Sequence, residues 1–127
     1  MRKKLDPEIA IAKDAWCVYK WRAAKKGLEC ELSFDQYFKF AKTPCVYCGG
    51  FTNNKTKRGH YRHNGVDRID NTQGYVILNC VACCATCNKA KSNLVLAEFQ
   101  EWLRRVAKYQ YDTASKNAKR KCWRNHW

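Results

Sequence analysis

Hydrophobic positions recur with helical spacing in two long stretches and cluster in shorter runs between them. From Glu8 to Lys26 there is no Gly or Pro, and Ile11, Ala15 and Val18 step by four and three, with Ile9, Ala12, Trp16 and Tyr19 beside them. Apolar side chains at that spacing share one face of a helix. Asp6-Pro7 supplies an N-cap and a residue preset for the first turn, and Gly27 stands where a C-terminal cap is expected. The pattern predicts a helix of about 18 residues. Leu28 to Leu32 reads as extended. Ser33-Phe34-Asp35-Gln36 has the form of a capping box, with Leu32 and Tyr37 spaced as a hydrophobic staple. A short helix from Phe34 to Lys42 is expected, ended by Thr43-Pro44. Residues 51–65 are polar and basic and read as a loop. Val66 to Ile69 and Tyr75 to Val81 read as strands joined by a turn at Asp70–Gly74. Asn88 or Ser92 is placed to open a helix. From Leu94 the period is helical again through Leu96, Phe99, Leu103, Val106 and Gln110, with an end expected near Tyr111. This gives an α+β chain in four segments: a helical region over 1–44, a central region over 45–93, a helix over 94–111 and a basic aromatic tail over 112–127.

Size and charge narrow the function. A chain of 127 residues has room for one domain of ordinary size. Its formal net charge is +14 at pH 7, which repels other copies and attracts polyanions. Nucleic acid is the expected partner. No apolar run approaches the length of a membrane span, and the first residues lack the apolar run of a secretory signal. A reducing, intracellular setting is therefore expected. Nine cysteines then point to metal rather than disulfides.

Cys45-x-x-Cys48 and Cys84-x-x-Cys87 are separated by 35 residues. A two-residue gap lets both thiolates of a pair turn toward one ion, and two pairs complete the tetrahedral sulfur shell that suits zinc. Four protein ligands leave no open coordination position, so this zinc is expected to be structural. It would contribute on the order of 10 kcal/mol to folding. Cys80-x-x-Cys83 offers a competing register. Between the two knuckles, Gly65 to Tyr75, with Asp67, Asp70 and Asn71, is a polar block that can either hold Mg²⁺ or make turn hydrogen bonds.

The order Cys45-x-x-Cys48, Gly65-Val-Asp-Arg-Ile-Asp70, Gly74-Tyr75, Asn79 and Cys84-x-x-Cys87-Asn88-x-x-Lys91 resembles the zinc-containing HNH endonucleases, in particular small forms from phages and large DNA viruses. The resemblance runs from about residue 15 to 108. It implies a small zinc-stabilised ββα-metal (His-Me finger) core with flanking helices, and a metal-dependent endonuclease that hydrolyses phosphodiester bonds, with DNA placed ahead of RNA. By motif match, Asp67 and Asn88 would hold a catalytic Mg²⁺ or Mn²⁺, and Asn79 would brace the loop between the strands. Asn88 directly after Cys87 also selects Cys84 and Cys87 over Cys80 and Cys83.

One position departs from the pattern. Arg68 stands where such enzymes carry the histidine that activates water. A guanidinium has no acceptor lone pair and stays protonated, so it can hold a phosphate but not take a proton. Asp70, His63 or a metal-ionised water could act as base instead. If none does, the chain is a catalytically inactive HNH-like zinc protein that binds DNA or RNA, such as a subunit of a ribonucleoprotein or packaging assembly with protein partners. Phosphate contacts are expected from Lys55, Lys57, Arg58, Arg62, Lys89, Lys91, Arg104, Arg105, Lys119, Arg120 and Lys121. Tyr109, Tyr111, Trp123 and Trp127 are available for base stacking.

Overall fold

The first helix, α1 (Pro7–Lys25), starts where the sequence places it: the Asp6 carboxylate accepts from the backbone N–H groups of Glu8 and Ile9. Helix α2 (Phe34–Ala41) opens with the expected capping box. Ser33 Oγ accepts from Gln36 N–H, and Gln36 Oε1 accepts from Ser33 N–H. These observations come from a computed structural model that describes residues 3–124, with side chains described to residue 120. Lys121, Trp123 and Trp127 in the basic tail therefore lie outside the described side chains.

Two antiparallel pairs follow. Strands β1 (Asn53–Thr56) and β2 (Gly59–Arg62) form one ribbon; β3 (Gly65–Arg68) and β4 (Cys80–Cys83) form the other. The registers are Asn53 opposite Arg62 and Lys55 opposite His60 in the first, Gly65 opposite Cys83 and Asp67 opposite Val81 in the second. Helix α3 (Ala85–Lys91) leaves β4 directly, and helix α4 runs from Leu96 to Arg124. Helices and short antiparallel strands make this an α+β chain. By compactness it divides into a unit ending at Val95 and a second unit that is α4 with the remaining tail.

Four sequence expectations change. The 51–65 loop contains the β1–β2 ribbon. Both faces of this ribbon are polar, so its alternation leaves no hydrophobic trace, and main-chain pairing with side-chain contacts from Asn54, Thr56 and Tyr61 forms it. The return strand starts at Cys80 rather than Tyr75, because Ile77–Asn79 is a turn of 3₁₀ helix and only an isolated bridge joins Tyr75 to Cys30. Neither Asn88 nor Ser92 opens α3. Cys84 is its N-cap, and Ser92 ends it at φ +50°. Helix α4 continues past Tyr111, since no Gly or Pro interrupts residues 96–124.

The core of the first unit is Leu32, Tyr37, Val66 and Cys80, covered by Trp16, Tyr19, Phe40 and Tyr75. Trp16 donates from Nε1 to the Leu32 carbonyl at 2.9 Å, and Tyr19 accepts from Val66 N–H at 3.1 Å, so α1 is fixed to the extended 28–32 segment and to β3. Gly74 is required for the crossing of two chains. A side chain there would collide with the Glu29 backbone, while Tyr75 N–H donates to the Glu29 carbonyl. Within α4, Phe99 stacks on Trp102 with ring centroids 5.8 Å apart, and Glu101 pairs with Arg104 across an exposed turn. No helix among the described residues is long and apolar enough to cross a membrane.

Candidate metal knuckles and adjoining cleft

The two C-x-x-C pairs converge because the first knuckle docks on β4. Val46 N–H donates to the Ala82 carbonyl at 2.9 Å, which sets Cys45 and Cys48 beside the residues leaving that strand. Gly49, at φ +74°, takes the left-handed conformation the knuckle turn needs. The Sγ atoms of Cys45, Cys48, Cys84 and Cys87 lie within 4.8 Å of one another. A tetrahedron of 2.3 Å metal–sulfur bonds has edges of about 3.8 Å, and Cys48 Sγ is 3.7 Å from Cys84 Sγ. Backbone N–H groups of Gly50 and Cys87 point at Cys48 Sγ and Cys84 Sγ, each at 3.4 Å. Burial pushes the Cys45 thiol up, but hydrogen bonds from the backbone at Cys84, Cys48 and Tyr47 outweigh it and bring the thiol down to about 7. The donor set fits a sulfur-bound ion. Cys80 lies away from it in the Leu32 core, and Cys83 packs against Cys45 and Cys84 without joining the four-sulfur set; burial pushes Cys80 up to about 12, and Cys83 is also shifted upward by burial. Both are packing thiols, and the sulfurs that cluster with Cys45 and Cys48 are those of Cys84 and Cys87.

Asp67 sits in a closed pocket of partners. Tyr47 donates from its hydroxyl to Oδ2 at 2.7 Å. Lys91 Nζ lies 3.3 Å from Oδ1 and 3.2 Å from Oδ2, and also donates to the Arg68 carbonyl at 3.2 Å. Burial, and then the Asp67 carboxylate, push the Tyr47 hydroxyl upward, so it stays a donor. Lys91 is 0% exposed and Asp67 6%. Lys91 is thus not among the phosphate-contacting lysines; its ammonium clamps α3 to β3. Removing one partner of such a pair strands a buried charge, which costs about 3–5 kcal/mol. Lys91→Met is therefore expected to lower unfolding stability by about that amount. Asp67→Asn combined with Lys91→Met should recover most of it, as read from urea melts of the metal-loaded chain. Equal stability of the single and double variants would rule the clamp out.

Arg68 is also occupied. It donates from Nη1 to the carbonyls of Asn71 and Gln73 at 2.8 and 3.0 Å, and its guanidinium lies 5.1 Å from the Tyr75 ring centroid. Asn79 braces the same loop: Oδ1 accepts from Asp70 N–H, and Nδ2 donates to the carbonyls of Asp70 and Gly74. The Asp70 carboxylate accepts from the N–H and hydroxyl of Thr72, which hold it below the usual carboxylate range. β3 ends at Arg68, so strand alternation does not carry Asp70 to the same side.

A cleft of about 480 Å³ opens where β3 begins and α3 passes. Its walls include His63, Asn64, Gly65, Asn88, Lys89 and, from α1, Arg22. His63 is buried and lies 2.9 Å through Nε2 from Glu8 Oε1, whose carboxylate also accepts from Lys42 at 2.7 Å. Lys42, then His63, hold the Glu8 carboxyl below its usual range, so it is ionised and can only accept. Nε2 therefore donates to this carboxylate, and in the neutral imidazole the acceptor is Nδ1. His63 and Asn88 are brought to one cleft; Asp67, Arg68 and Asp70 are not among its walls. Lys55, Lys57, Arg58, Arg62, Lys89, Arg104, Arg105, Lys119 and Arg120 are all exposed.

Two further residues carry no signal in the sequence. Asn64, fully enclosed, accepts from Thr52 N–H and donates to the carbonyls of Thr43 and Gly50, tying the end of α2 to the first knuckle. Glu8 reaches His63 from 55 positions away. No local pattern marks either one.

No family model matches the chain. Over 78 residues, 61% of its length, it is 41% identical to an uncharacterised protein of Acanthamoeba polyphaga mimivirus, of which it spans only 14%. In three dimensions it is similar to the rare-cutting HNH restriction endonuclease PacI, with a TM-score of 0.58 and 25% identity over 81% of both chains. A clustered four-cysteine site on an α+β chain thus has an HNH restriction endonuclease as its structural neighbour.

Proposed function

We propose that this chain is an HNH-type phosphodiester hydrolase acting on nucleic acid, with duplex DNA as the substrate class. The observation that carries this reading is the cleft in which His63 and Asn88 face one space, on a fold similar to an HNH endonuclease over four-fifths of its length. The four sulfurs hold a structural zinc that pins α3 against β4. His63 takes the proton from the attacking water at Nδ1, with Glu8 fixing the ring. Lys89 and Arg22 stand on the cleft wall to receive the phosphate charge.

A divalent ion held by Asp67 and Asn88 fits only in part. Asn88 lines the cleft, but both Asp67 oxygens already have donors and Lys91 balances the charge. When bound, Mg²⁺ or Mn²⁺ would supply charge stabilisation at the phosphate, and Asp67 would join it only by releasing Lys91.

That engaged Asp67 favours a second reading, a nucleic-acid-binding protein without turnover. The test is nicking of supercoiled plasmid by the zinc-loaded chain, with Mg²⁺ and Mn²⁺ titrated. Metal-dependent nicking by wild type that is lost in Asn88→Ala supports the hydrolase. Salt-sensitive binding with no nicking under any ion establishes the second reading.

A further inference from the structure

The β1–β2 ribbon lines the cleft with Asn54 and Thr56 and turns its other face outward. Main-chain pairing puts Asn53 directly opposite Arg62 and Lys55 directly opposite His60. All four are exposed, while Asn54 and Tyr61, the pair between them, are half-buried on the other face. The inner face is anchored. Asn54 Nδ2 donates to the His63 carbonyl at 3.0 Å, and Tyr61 stacks on the His63 ring with centroids 5.9 Å apart. The tip is tight: Thr56 pairs with Gly59, and the Thr56 hydroxyl both accepts from Arg58 N–H and donates to the Gly59 carbonyl. No Asp or Glu occurs between Asp35 and Asp67.

We propose that this ribbon is a sequence-reading element that enters the major groove of duplex DNA, with Asn53, Lys55, His60 and Arg62 toward the base edges. This rests on the reading of nucleic acid as the ligand. The dimensions suit it. A two-stranded ribbon fits a groove about 12 Å wide and not one of about 6 Å. Residues two apart on a strand stand about 7 Å apart, which is two base-pair steps of about 3.4 Å. The opposed pairs thus face successive stretches of the groove floor. The chemistry suits it too: an amide can bond adenine at two points, and a guanidinium or ammonium can bond guanine. Phosphate neutralisation alone needs no amide and no fixed face. Arg62 is held in place, its guanidinium 5.4 Å from the Phe51 ring centroid. Because Asn54 bonds to the His63 carbonyl and Tyr61 stacks on its ring, a ribbon seated on its site fixes the cleft relative to the backbone to be cut.

The experiment is selection of bound duplexes from a random pool by the full zinc-loaded chain without added Mg²⁺ or Mn²⁺. Anisotropy titrations then compare the selected duplex, a scrambled duplex and the selected duplex with 7-deazapurines, which lack the major-groove N7 acceptor. Wild type is expected to recover a motif and to bind the 7-deaza duplex about 10- to 100-fold more weakly. Asn53→Ala and Arg62→Ala should each flatten preference at one or two adjacent base pairs, with affinity for scrambled DNA held within about threefold. An unselective wild type, a double variant that keeps the motif, a uniform loss across all sequences, or equal affinity for A-form RNA duplex would overturn the assignment. Selection does not require turnover, so the two readings fail separately. A chain that selects but never cuts removes the hydrolase, and one that cuts without selecting removes the ribbon.

Discussion

Cys84→Ser is expected to abolish stoichiometric zinc and to unfold the first unit, the largest single-residue effect in the molecule. Cys84 serves three structures at once: it supplies a sulfur within 4.8 Å of the other three, it caps α3 through Cys87 N–H, and it is the first residue after β4. The core beside it is small. Cys45, Cys83 and Cys84 form their own buried cluster with Tyr47 and Cys87 against it, and without an ion that cluster is four thiols with little apolar area. A bound structural zinc contributes on the order of 10 kcal/mol in small domains, comparable to the total stability of a chain this size. Chelation of wild type should reproduce the variant. Cys80→Ser and Cys83→Ser provide the control, since both thiols pack in the core and neither belongs to the sulfur set. They should keep one zinc per chain, with a modest loss of melting temperature. Retention of one zinc by Cys84→Ser with loss in Cys80→Ser would reverse the register. Metal analysis alongside thermal unfolding decides between them.

His63→Ala is expected to lower plasmid cleavage by about 10²- to 10⁴-fold, the range for removing a general base, with zinc content and plasmid affinity unchanged. Glu8→Gln should lose less, on the order of 10²-fold, because a misplaced base is still a base. An amide can donate as well as accept, so the substituted side chain no longer dictates which ring nitrogen of His63 holds the proton. Nitrogen NMR of the imidazole is therefore expected to change from a single Nε2–H tautomer to a mixture in Glu8→Gln. A purely architectural Glu8 would leave that tautomer untouched. Because Glu8 also bonds Lys42, Lys42→Met is the matching control: it breaks that exposed ion pair without touching the imidazole. If His63→Ala cuts as fast as wild type, the cleft is not where the chemistry happens. Asp67 is then the carboxylate to test, and Lys91→Met, which removes its ammonium partner, should raise metal-dependent cleavage.

Local signals are readable where one residue answers another nearby. The Asp6 cap, the Ser33–Gln36 box and the helical period of α1 all operate within a turn or two, and all appear as expected. The four-cysteine set is also readable, because two-residue spacing is itself a chelate geometry and the resemblance to HNH endonucleases, with Asn88 directly after a ligand, selects Cys84 and Cys87. The β1–β2 ribbon is hidden because strand alternation is visible only when one face is apolar, and here both faces are polar. The late start of β4 is hidden because Ile77 and Leu78 look like core residues. They are exposed on a 3₁₀ turn that the Asn79 side chain anchors to the Asp70–Gly74 loop.

The sequence by itself determined the charge that calls for a polyanion, the sulfur set and the starts of the first two helices, since each depends on composition or on neighbours a few positions apart. Only the tertiary structure decided what each polar residue of the central block touches. Lys91 reads as a phosphate contact until burial gives it to Asp67. Arg68 reads as a phosphate ligand until two loop carbonyls take it. His63 gains Glu8 from the first turn of α1. An ionisable side chain advertises its charge in the sequence, but its partner is whichever group the folded chain carries within about 3 Å, and that distance is set by packing.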